Sequence, residues 1–345
     1  MEFLQFKGDF VATTIRRHAL SMLKRMTPTR FANLCLALYE AKTRKTILKS
    51  YPIYLRINVS PFCNLRCPGC EAGGAGIAAK YRELHKGQAC MSFSVFKKCV
   101  DPLKKYIFKM NLYDEGEPLL NHEIEQMISY ASRHNITTCI SSNLSIDLPD
   151  SRIRDIVNSG LDHIMVAVDG STQGVYEKYR VGGNLALVLD NLKRMVSIKS
   201  ALNKKNLFID IQFLVFEHNK HQLEDMKLLA RKLKVDRLTA IKASTLGWEA
   251  WDSLGSKLNP EQRRNLGCYL IWFTADIESD GKLYSCDYSE DHLMPAIGSM
   301  LENPFVELWN HRVMQQLRFS FRKSGKANLS DFCRNCPCWT IALLH

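Results

Sequence analysis

Three cysteines stand close together in the first quarter of the chain, at Cys63, Cys67 and Cys70. Three thiolates within a few residues can face one metal centre, and this spacing arises by chance in only about one or two per cent of chains with this cysteine content. A zinc knuckle normally needs a fourth Cys or His close by, and the nearest candidates are His85 and Cys90. Three ligands on a four-iron cluster leave one iron open to a further ligand. The spacing and its flanking residues therefore favour an iron–sulfur cluster and leave zinc as the alternative.

A second group of cysteines lies near the other end of the sequence, at Cys268, Cys286, Cys333, Cys336 and Cys338. Four thiolates complete one cluster site, and five are too few for two clusters. We favour the first four as ligands and keep Cys338 as a spare or substitute; a structural zinc site with the same four residues is the alternative. The remaining thiols are predicted to be buried in the core: Cys35, Cys90, Cys99 and Cys139.

The elements that must position these cysteines form a regular alternation. Six β-rich runs are separated by segments with helical periodicity, which indicates a parallel sheet curved into a complete or partial βα barrel. The six runs are 53–59, 109–113, 137–141, 163–168, 207–215 and 237–242, and the helical segments are 123–134, 151–159, 175–200 and 222–234. The cysteines from Cys63 to Cys70 follow the first run directly, at the edge where such barrels place their chemistry.

Three domains are predicted from this organisation. Residues 1–50 read as a basic amphipathic helical segment, residues 51–245 as the barrel, and residues 246–345 as a separate small module. The module contains a predicted hairpin with strands at 269–277 and 282–285 around a turn that ends at Gly281.

The sequence around the first three cysteines is Asn-Val-Ser-Pro-Phe-Cys-Asn-Leu-Arg-Cys-Pro-Gly-Cys, residues 58–70. It resembles the nucleating loop of the radical S-adenosylmethionine (SAM) superfamily. The resemblance implies a partial (β/α)6 TIM-type barrel and a [4Fe-4S] cluster on Cys63, Cys67 and Cys70, whose open iron binds SAM. It also implies release of a 5′-deoxyadenosyl radical that takes hydrogen from a substrate. Gly69 departs from the family, which often has an aromatic residue there.

The same resemblance carries SAM contacts to five residues that follow successive strands: Glu117, Ser142, Asn143, Asp169 and Arg180. Gly116-Glu117-Pro118 is similar to the Gly-Gly-Glu motif that holds the methionine ammonium, although Glu115 replaces its first glycine. Asp169 belongs to a stretch similar to the ribose-binding Ser-Leu-Asp-Gly motif, with Ala167 in place of serine. Arg180 resembles an arginine that pairs with the methionine carboxylate, a role that suits the guanidinium fork.

The C-terminal cysteines resemble the SPASM auxiliary-cluster module or its shorter form, twitch. This implies one auxiliary [4Fe-4S] cluster that accepts an electron after hydrogen abstraction, and a reductant such as flavodoxin or ferredoxin. Asp287, next to Cys286, matches a base in some relatives and otherwise would hydrogen-bond near the cluster. The leading prediction is oxidation of a sugar-like, cyclitol or lipid-linked small molecule. Maturation of ribosomal peptides and epimerisation are the alternatives within the superfamily.

Composition sets the remaining limits. The 345 residues carry a net charge of +12, and the first fifty hold ten Lys or Arg against three acids. This asymmetry suggests an anionic partner, and the basic and apolar residues between Ile15 and Phe31 fit amphipathic helices on acidic lipid, or else a solvated face of a packed helix. A zinc-containing nucleic-acid binder is disfavoured because the basic residues lie far in sequence from the cysteines. The sequence shows no signal-peptide core or bilayer-length apolar stretch, so a cytoplasmic protein is expected, with membrane-surface association as an option.

Overall fold

A parallel sheet forms the centre of the molecule in the computed structural model, which describes residues 21–70, 72–73, 89–114, 116–242, 268–286, 296–322 and 333. The six predicted strands are present and pair side by side in parallel, so the predicted partial barrel is confirmed. Their bounds are β1 Tyr54–Ile57, β2 Lys109–Asn111, β3 Thr137–Ser142, β4 His163–Ala167, β5 Phe208–Val215 and β6 Arg237–Lys242.

Helices connect these strands and cover one face of the sheet. They are α1 Pro28–Lys42, α2 Phe93–Val100, α3 Ile124–Arg133, α4 Asp150–Asn158, α5 Gln173–Tyr179, α6 Leu185–Ala201, α7 Leu223–Leu233, α8 Leu270–Phe273, α9 Phe305–Trp309 and α10 Arg312–Ser320. The single helix predicted over 175–200 is two helices. The chain turns between them at Gly182, whose φ is +83°, and Asn184 caps α6 by accepting a hydrogen bond from the Leu187 amide at 3.2 Å.

Three further strands extend the sheet beyond β1: β7 Thr274–Ile277, β8 Lys282–Tyr284 and β9 Gly298–Ser299. The sheet is open, with the order β6-β5-β4-β3-β2-β1-β7-β8-β9. The predicted hairpin is present as β7 and β8, but the first half of its predicted first strand is helix α8 instead. The hairpin is predicted to belong to a separate module, whereas β7 pairs in parallel with β1 and continues its sheet.

The two faces of the sheet differ in chemistry. Alternate strand residues such as Leu55, Ile140 and Ile211 are fully buried and belong to the same apolar core as the helices. The strand residues between them lie on the other face, which we call the inner face, and many of them are polar. Representative inner-face residues are Arg56, Asn111, Cys139, His163, Asp210, Arg237 and Asp276.

The segment before β1 packs against the amino-terminal ends of the strands. Arg25 pairs with Asp162, and Arg30, which is 2% exposed, donates four hydrogen bonds to backbone carbonyl groups. These two arginines therefore hold the segment to the barrel, which is a different role from the contact with acidic lipid that the sequence predicts for them. Within the described residues, every helix is too short or too polar to cross a bilayer.

Candidate active site

The loop after β1 brings the first three cysteines to the carboxyl edge of the sheet. Cys67 is buried, and Cys63 and Cys70 are half-buried; none forms a disulfide. The Cys70 amide donates to the Cys67 carbonyl at 3.2 Å, which closes a turn that keeps these two residues adjacent. All three pack in one small cluster with Leu65 and Tyr179, among others.

Glu117 lies beside the Cys63 end of this loop. Its carboxylate accepts hydrogen bonds from the Ser142 hydroxyl at 2.8 Å and from the Asn143 amide at 2.7 Å. The Asn143 side-chain amide donates in turn to Cys63 Sγ at 3.6 Å. Gly116 permits this arrangement, because a Cβ atom there would stand 1.7 Å from the Ser60 carbonyl oxygen. Three predicted SAM contacts from β2 and β3 thus meet at one cysteine.

Asp169 and Arg180 lie beside the Cys67 end of the loop. Arg180 Nε donates to Asp169 Oδ2 at 2.6 Å, and Arg180 Nη1 donates to Cys67 Sγ at 3.8 Å. The other carboxylate oxygen of Asp169 accepts from the Leu214 amide at 2.6 Å. Gly170 lets α5 approach, since a Cβ there would meet the Tyr176 backbone at 2.6 Å. The structure therefore brings all five sequence-predicted contact residues to the same edge as the three cysteines.

Burial controls the protonation of this site. It raises the pKa of Glu117 to about 7, although the hydrogen bonds from Asn143, Leu119 and Ser142 act in the opposite direction. Burial also raises the pKa of Asp169, against the opposing effect of Arg180. The pKa of Cys63 is raised to about 12, first by burial and then by the charge of Glu117. Without a metal centre the pocket thus favours the neutral form of the Cys63 thiol, and a bound metal centre would supply additional positive charge.

The cysteine loop fits an iron–sulfur cluster. Its three cysteines are outside any disulfide, and Leu65, Asn143 and Arg180 direct donors at two of the sulfurs. Within the described part of the chain, no three His, Cys, Asp or Glu side chains converge on a single ion. Cys90, one candidate for a fourth zinc ligand, instead donates to the Ser60 hydroxyl at 3.5 Å.

The predicted auxiliary ligands are described only in part. Cys268 precedes α8 and Cys286 follows β8; both are half-buried, while Cys333 is buried in the core. Cys336, Cys338 and the predicted base Asp287 lie outside the described residues. Since β8 runs antiparallel to β7, Cys268 and Cys286 both lie toward the amino end of β7, opposite the edge that carries the first cysteine loop. A four-residue strand spans about 13 Å, so the two groups form separate sites.

The other predicted core thiols are not all buried. Cys99 and Cys139 are buried, Cys90 is half-buried, and Cys35 is exposed on α1. The prediction of a buried Cys35 is therefore wrong, because α1 turns that face away from the barrel.

The inner face beside β1 holds a polar cluster that sequence reasoning missed. Arg56 lies opposite Asp276 on β7, with Nε 3.9 Å from Asp276 Oδ1, and its Nη1 is 3.7 Å from Asp114 Oδ1. Asn58 donates to Glu278 Oε2 at 2.9 Å. Burial raises the pKa of Asp276 to about 7 and that of Glu278 to about 8, and Asp114 adds to both shifts. We call these five residues the acidic wall. Polar and apolar residues alternate over 54–58 and 274–278, and this alternation is the sequence signal that indicates a polar inner face there.

A second polar group stands on the opposite strands of the inner face. Asp210 accepts hydrogen bonds from Arg237 Nη2 at 2.6 Å and from the Thr239 hydroxyl at 3.0 Å. His163 Nε2 lies 3.7 Å from the same carboxylate, and His163 Nδ1 lies 3.5 Å from Cys139 Sγ. Here the carboxylate is paired, and its pKa is lowered despite burial. Among the described residues, the acidic wall thus groups three carboxyl groups, Asp114, Asp276 and Glu278, near Arg56.

Comparison with known families agrees with this geometry. The profile of the radical SAM superfamily matches residues 57–230, and that of the SPASM iron–sulfur cluster-binding domain matches residues 268–337. The first domain binds a [4Fe-4S] cluster with SAM, and the second binds auxiliary iron–sulfur clusters.

Individual relatives are distant. Mycofactocin maturase MftC of Mycobacterium ulcerans is 24% identical over 205 residues, 59% of this chain and 51% of the relative. A probable GTP 3′,8-cyclase of Methanococcus maripaludis is 25% identical over 178 residues, 52% and 55% of the two chains. The chain therefore spans about half the length of these relatives.

Among solved structures, Streptococcus suis SuiB bound to SAM superposes with a TM-score of 0.64 at 13% identity, over 95% of this chain and 83% of SuiB. SuiB has also been solved with its precursor peptide SuiA. At this identity the likeness concerns the fold alone. The radical SAM profile matches half of the chain, which shows that this chain belongs to the radical SAM superfamily. The chain also carries a SPASM iron–sulfur cluster-binding domain.

Proposed function

We propose that this enzyme takes a hydrogen atom from a small, hydroxyl-bearing polar substrate held against the acidic wall and oxidises it. The observation that carries the proposal is a pair of buried carboxyl groups, Asp276 on β7 and Glu278 directly after it, which are 8% and 7% exposed. They face the inner side of the barrel near the carboxyl edge where Cys63, Cys67 and Cys70 stand.

We propose Cys63, Cys67 and Cys70 as ligands of the radical-generating cluster. Glu117 would hold the ammonium group of SAM, Arg180 its carboxylate, and Asp169 with Ser142 and Asn143 the rest of that pocket. Cys268, Cys286, Cys333 and Cys336, with Cys338 as substitute, would hold the auxiliary cluster. When bound, these groups supply a 5′-deoxyadenosyl radical and an electron acceptor.

The chain itself must supply a proton acceptor, because oxidation of an alcohol removes a hydrogen atom, a proton and an electron. A base works best when its pKa lies near the working pH. Glu278, with a pKa of about 8 and a hydrogen bond from Asn58, meets that condition. We therefore propose Glu278 for this role. Asp287, which the sequence predicts as a base, stays a second candidate.

A hydroxylated substrate fits this wall because hydroxyl groups donate hydrogen bonds to carboxylates and accept them from a guanidinium. Arg56 and the carboxyl groups of Asp276 and Glu278 offer both kinds of partner within a few ångströms. Asn111, 3% exposed and opposite Arg56 in register, adds an Oδ1 atom without a hydrogen-bond partner among the described residues.

Peptide maturation is the second candidate, favoured by the similarity to a mycofactocin maturase and to SuiB. The two candidates differ in the substrate that loses hydrogen. They share the radical-generating site, so a test of that site does not separate them.

The first experiment tests radical generation. Protein purified without oxygen is assayed for iron and sulfide, then reduced with dithionite in the presence of SAM, and 5′-deoxyadenosine is measured. Cys67→Ala is expected to abolish this product, while Cys35→Ala, which changes an exposed cysteine on α1, retains it. Product formation by Cys67→Ala would contradict the ligand assignment.

The second experiment tests the substrate class. Deuterated polyols, cyclitols and peptides are screened for deuterium transfer into 5′-deoxyadenosine by mass spectrometry. We expect deuterium transfer from a carbon that bears a hydroxyl group. Glu278→Gln should still cleave SAM but should no longer form the oxidised product. Transfer from a peptide alone would replace the oxidation proposal by the maturase one.

A further inference from the structure

Helix α1 buries polar side chains and exposes large apolar ones. The residues that face the barrel are polar or small: Arg30, Asn33, Ala37, Glu40 and Ala41. Large apolar side chains point the other way, since Phe31 is 57% exposed, Leu38 52% and Tyr39 57%. An ordinary surface helix of a globular protein has the reverse distribution.

The inward polar residues all make hydrogen bonds to the rest of the chain, and these bonds fix the orientation of α1. Glu40 accepts from the Lys49 amide at 2.8 Å and from the Ser50 hydroxyl at 2.6 Å. Asn33 exchanges two hydrogen bonds with the backbone of Tyr51, at 2.8 and 3.0 Å. Rotating the helix to bury its apolar side would leave these groups and Arg30 without partners.

The outward residues form one continuous face. Phe31, Cys35, Leu38 and Tyr39 are spaced i, i+4, i+7 and i+8, which places them on one side of a helix. Leu23 and Ile47, just outside the helix, are 65% and 60% exposed. We call this set the α1 face. Exposed apolar residues grouped in this way mark an interaction surface.

The charge around the α1 face has one sign. The exposed charged residues of the segment 21–50 are all lysines, at Lys24, Lys42, Lys45 and Lys49. Its single acidic residue, Glu40, is 4% exposed and bound to the backbone. An apolar stripe bordered by lysines matches a surface with negative headgroups above an apolar layer.

We infer that the α1 face docks this enzyme onto the surface of a membrane that contains anionic lipid. A second copy of the chain fits less well, because a symmetric contact would bring the same lysines against each other. Residues 1–20 also fit less well, because that segment is itself basic, with Lys7, Arg16 and Arg17 against Glu2 and Asp9. This inference concerns where the enzyme works and does not rest on the proposed reaction.

The test is co-sedimentation of the full chain with vesicles of phosphatidylcholine alone and of phosphatidylcholine with phosphatidylglycerol. Phe31→Ser/Leu38→Ser removes two apolar side chains of the α1 face. Leu228→Ser/Val306→Ser is the matched control, since these residues are 61% and 49% exposed on α7 and α9. Formation of 5′-deoxyadenosine by each variant shows that it is folded.

The wild type is expected to bind the phosphatidylglycerol vesicles, and to bind them less in high salt. The Phe31/Leu38 variant should lose roughly tenfold or more in partition coefficient, while the control stays within about twofold. Lys42→Gln/Lys45→Gln/Lys49→Gln should weaken binding to anionic vesicles alone.

Four results would overturn the inference. The first is equal sedimentation of the two double variants, and the second is equal binding of the wild type to both vesicle types. The third is a dimer in size-exclusion chromatography that Phe31→Ser/Leu38→Ser dissociates, together with no binding of the wild type to vesicles. The fourth is binding that appears only after deletion of residues 1–20, which would make that segment the occupant of the α1 face.

Discussion

Replacing Arg180 by Met separates what this side chain does for folding from what it does for the cofactor. Asp169 is fully buried, and the Arg180 guanidinium 2.6 Å away is its charge partner. The variant leaves that carboxyl group with the hydrogen bond from the Leu214 amide at 2.6 Å but without the guanidinium. Removing one member of a buried ion pair costs about 3–5 kcal/mol. We expect the free energy of unfolding of the apoprotein to fall by roughly that amount.

The double variant Arg180→Met/Asp169→Asn removes the buried charge as well. It should recover all but about 1–2 kcal/mol of the loss, since a neutral pair leaves no uncompensated ion. Formation of 5′-deoxyadenosine should stay low in both variants, because neither restores the guanidinium proposed to bind the methionine carboxylate. Urea unfolding followed by circular dichroism and the product assay measure the two effects separately.

Arg194→Met is the control. Its partners Asp150 and Asp190 are 72% and 59% exposed, so its loss should stay below about 1 kcal/mol. The pKa of Asp169 is already raised by burial, and without Arg180 it rises further. The destabilisation by Arg180→Met should therefore be largest at high pH and shrink as the pH falls through that raised pKa. An Arg180→Met variant as stable as the control, or a double variant no more stable than the single one, would refute the reasoning.

Three other predictions follow from single contacts. Gly116→Ala should lose iron and 5′-deoxyadenosine formation, because its Cβ would stand 1.7 Å from the Ser60 carbonyl oxygen. Gly174→Ala is the control and should keep both, because its Cβ would have no atom within 4 Å. Equal iron contents in the two variants would contradict this prediction. In Glu117→Gln, SAM affinity measured by titration should drop about tenfold or more and lose its rise with pH through about 7, where the wild-type carboxyl group ionises. Because the folded-state pKa of Glu278 is raised to about 8, its contribution to stability is present at acidic pH and is lost as the pH rises through that value. The free energy of unfolding, measured by urea titration, should therefore fall with pH in the wild type and fall less steeply in Glu278→Gln. The same pH dependence in both proteins would count against a buried, titrating Glu278.

The sequence predicts which residues meet at the carboxyl edge of the sheet because the relevant information is local. Each predicted contact follows its own strand, and the carboxyl ends of parallel strands necessarily meet at one edge. Glu117, Asn143 and Arg180 therefore come together with the cysteines even though 63 positions separate the first from the last.

The acidic wall could not be predicted in the same way, because it depends on a pairing across the whole chain. Arg56 and Asp276 are neighbours only because β7 returns to lie beside β1. Each strand alone shows a few polar residues in an apolar run, and nothing local states which strand is its neighbour. The orientation of α1 could not be predicted for a related reason. Its amphipathic pattern is clear, but the side that faces the barrel is decided by distant partners such as the backbone of Tyr51.

Strand β7 gives the two cysteine sites a common geometry. It begins six residues after Cys268, pairs with β1 along its length, and ends at Ile277. Glu278 follows directly and accepts a hydrogen bond from Asn58, which stands five residues before Cys63. A substrate on the acidic wall would therefore lie between the edge that generates the radical and the end of the strand where Cys268 and Cys286 stand. Hydrogen would leave it toward the first site and an electron toward the second. Under the proposed function, Asp276 on β7 and Glu278 directly after it would then be the carboxyl groups that accept the accompanying proton.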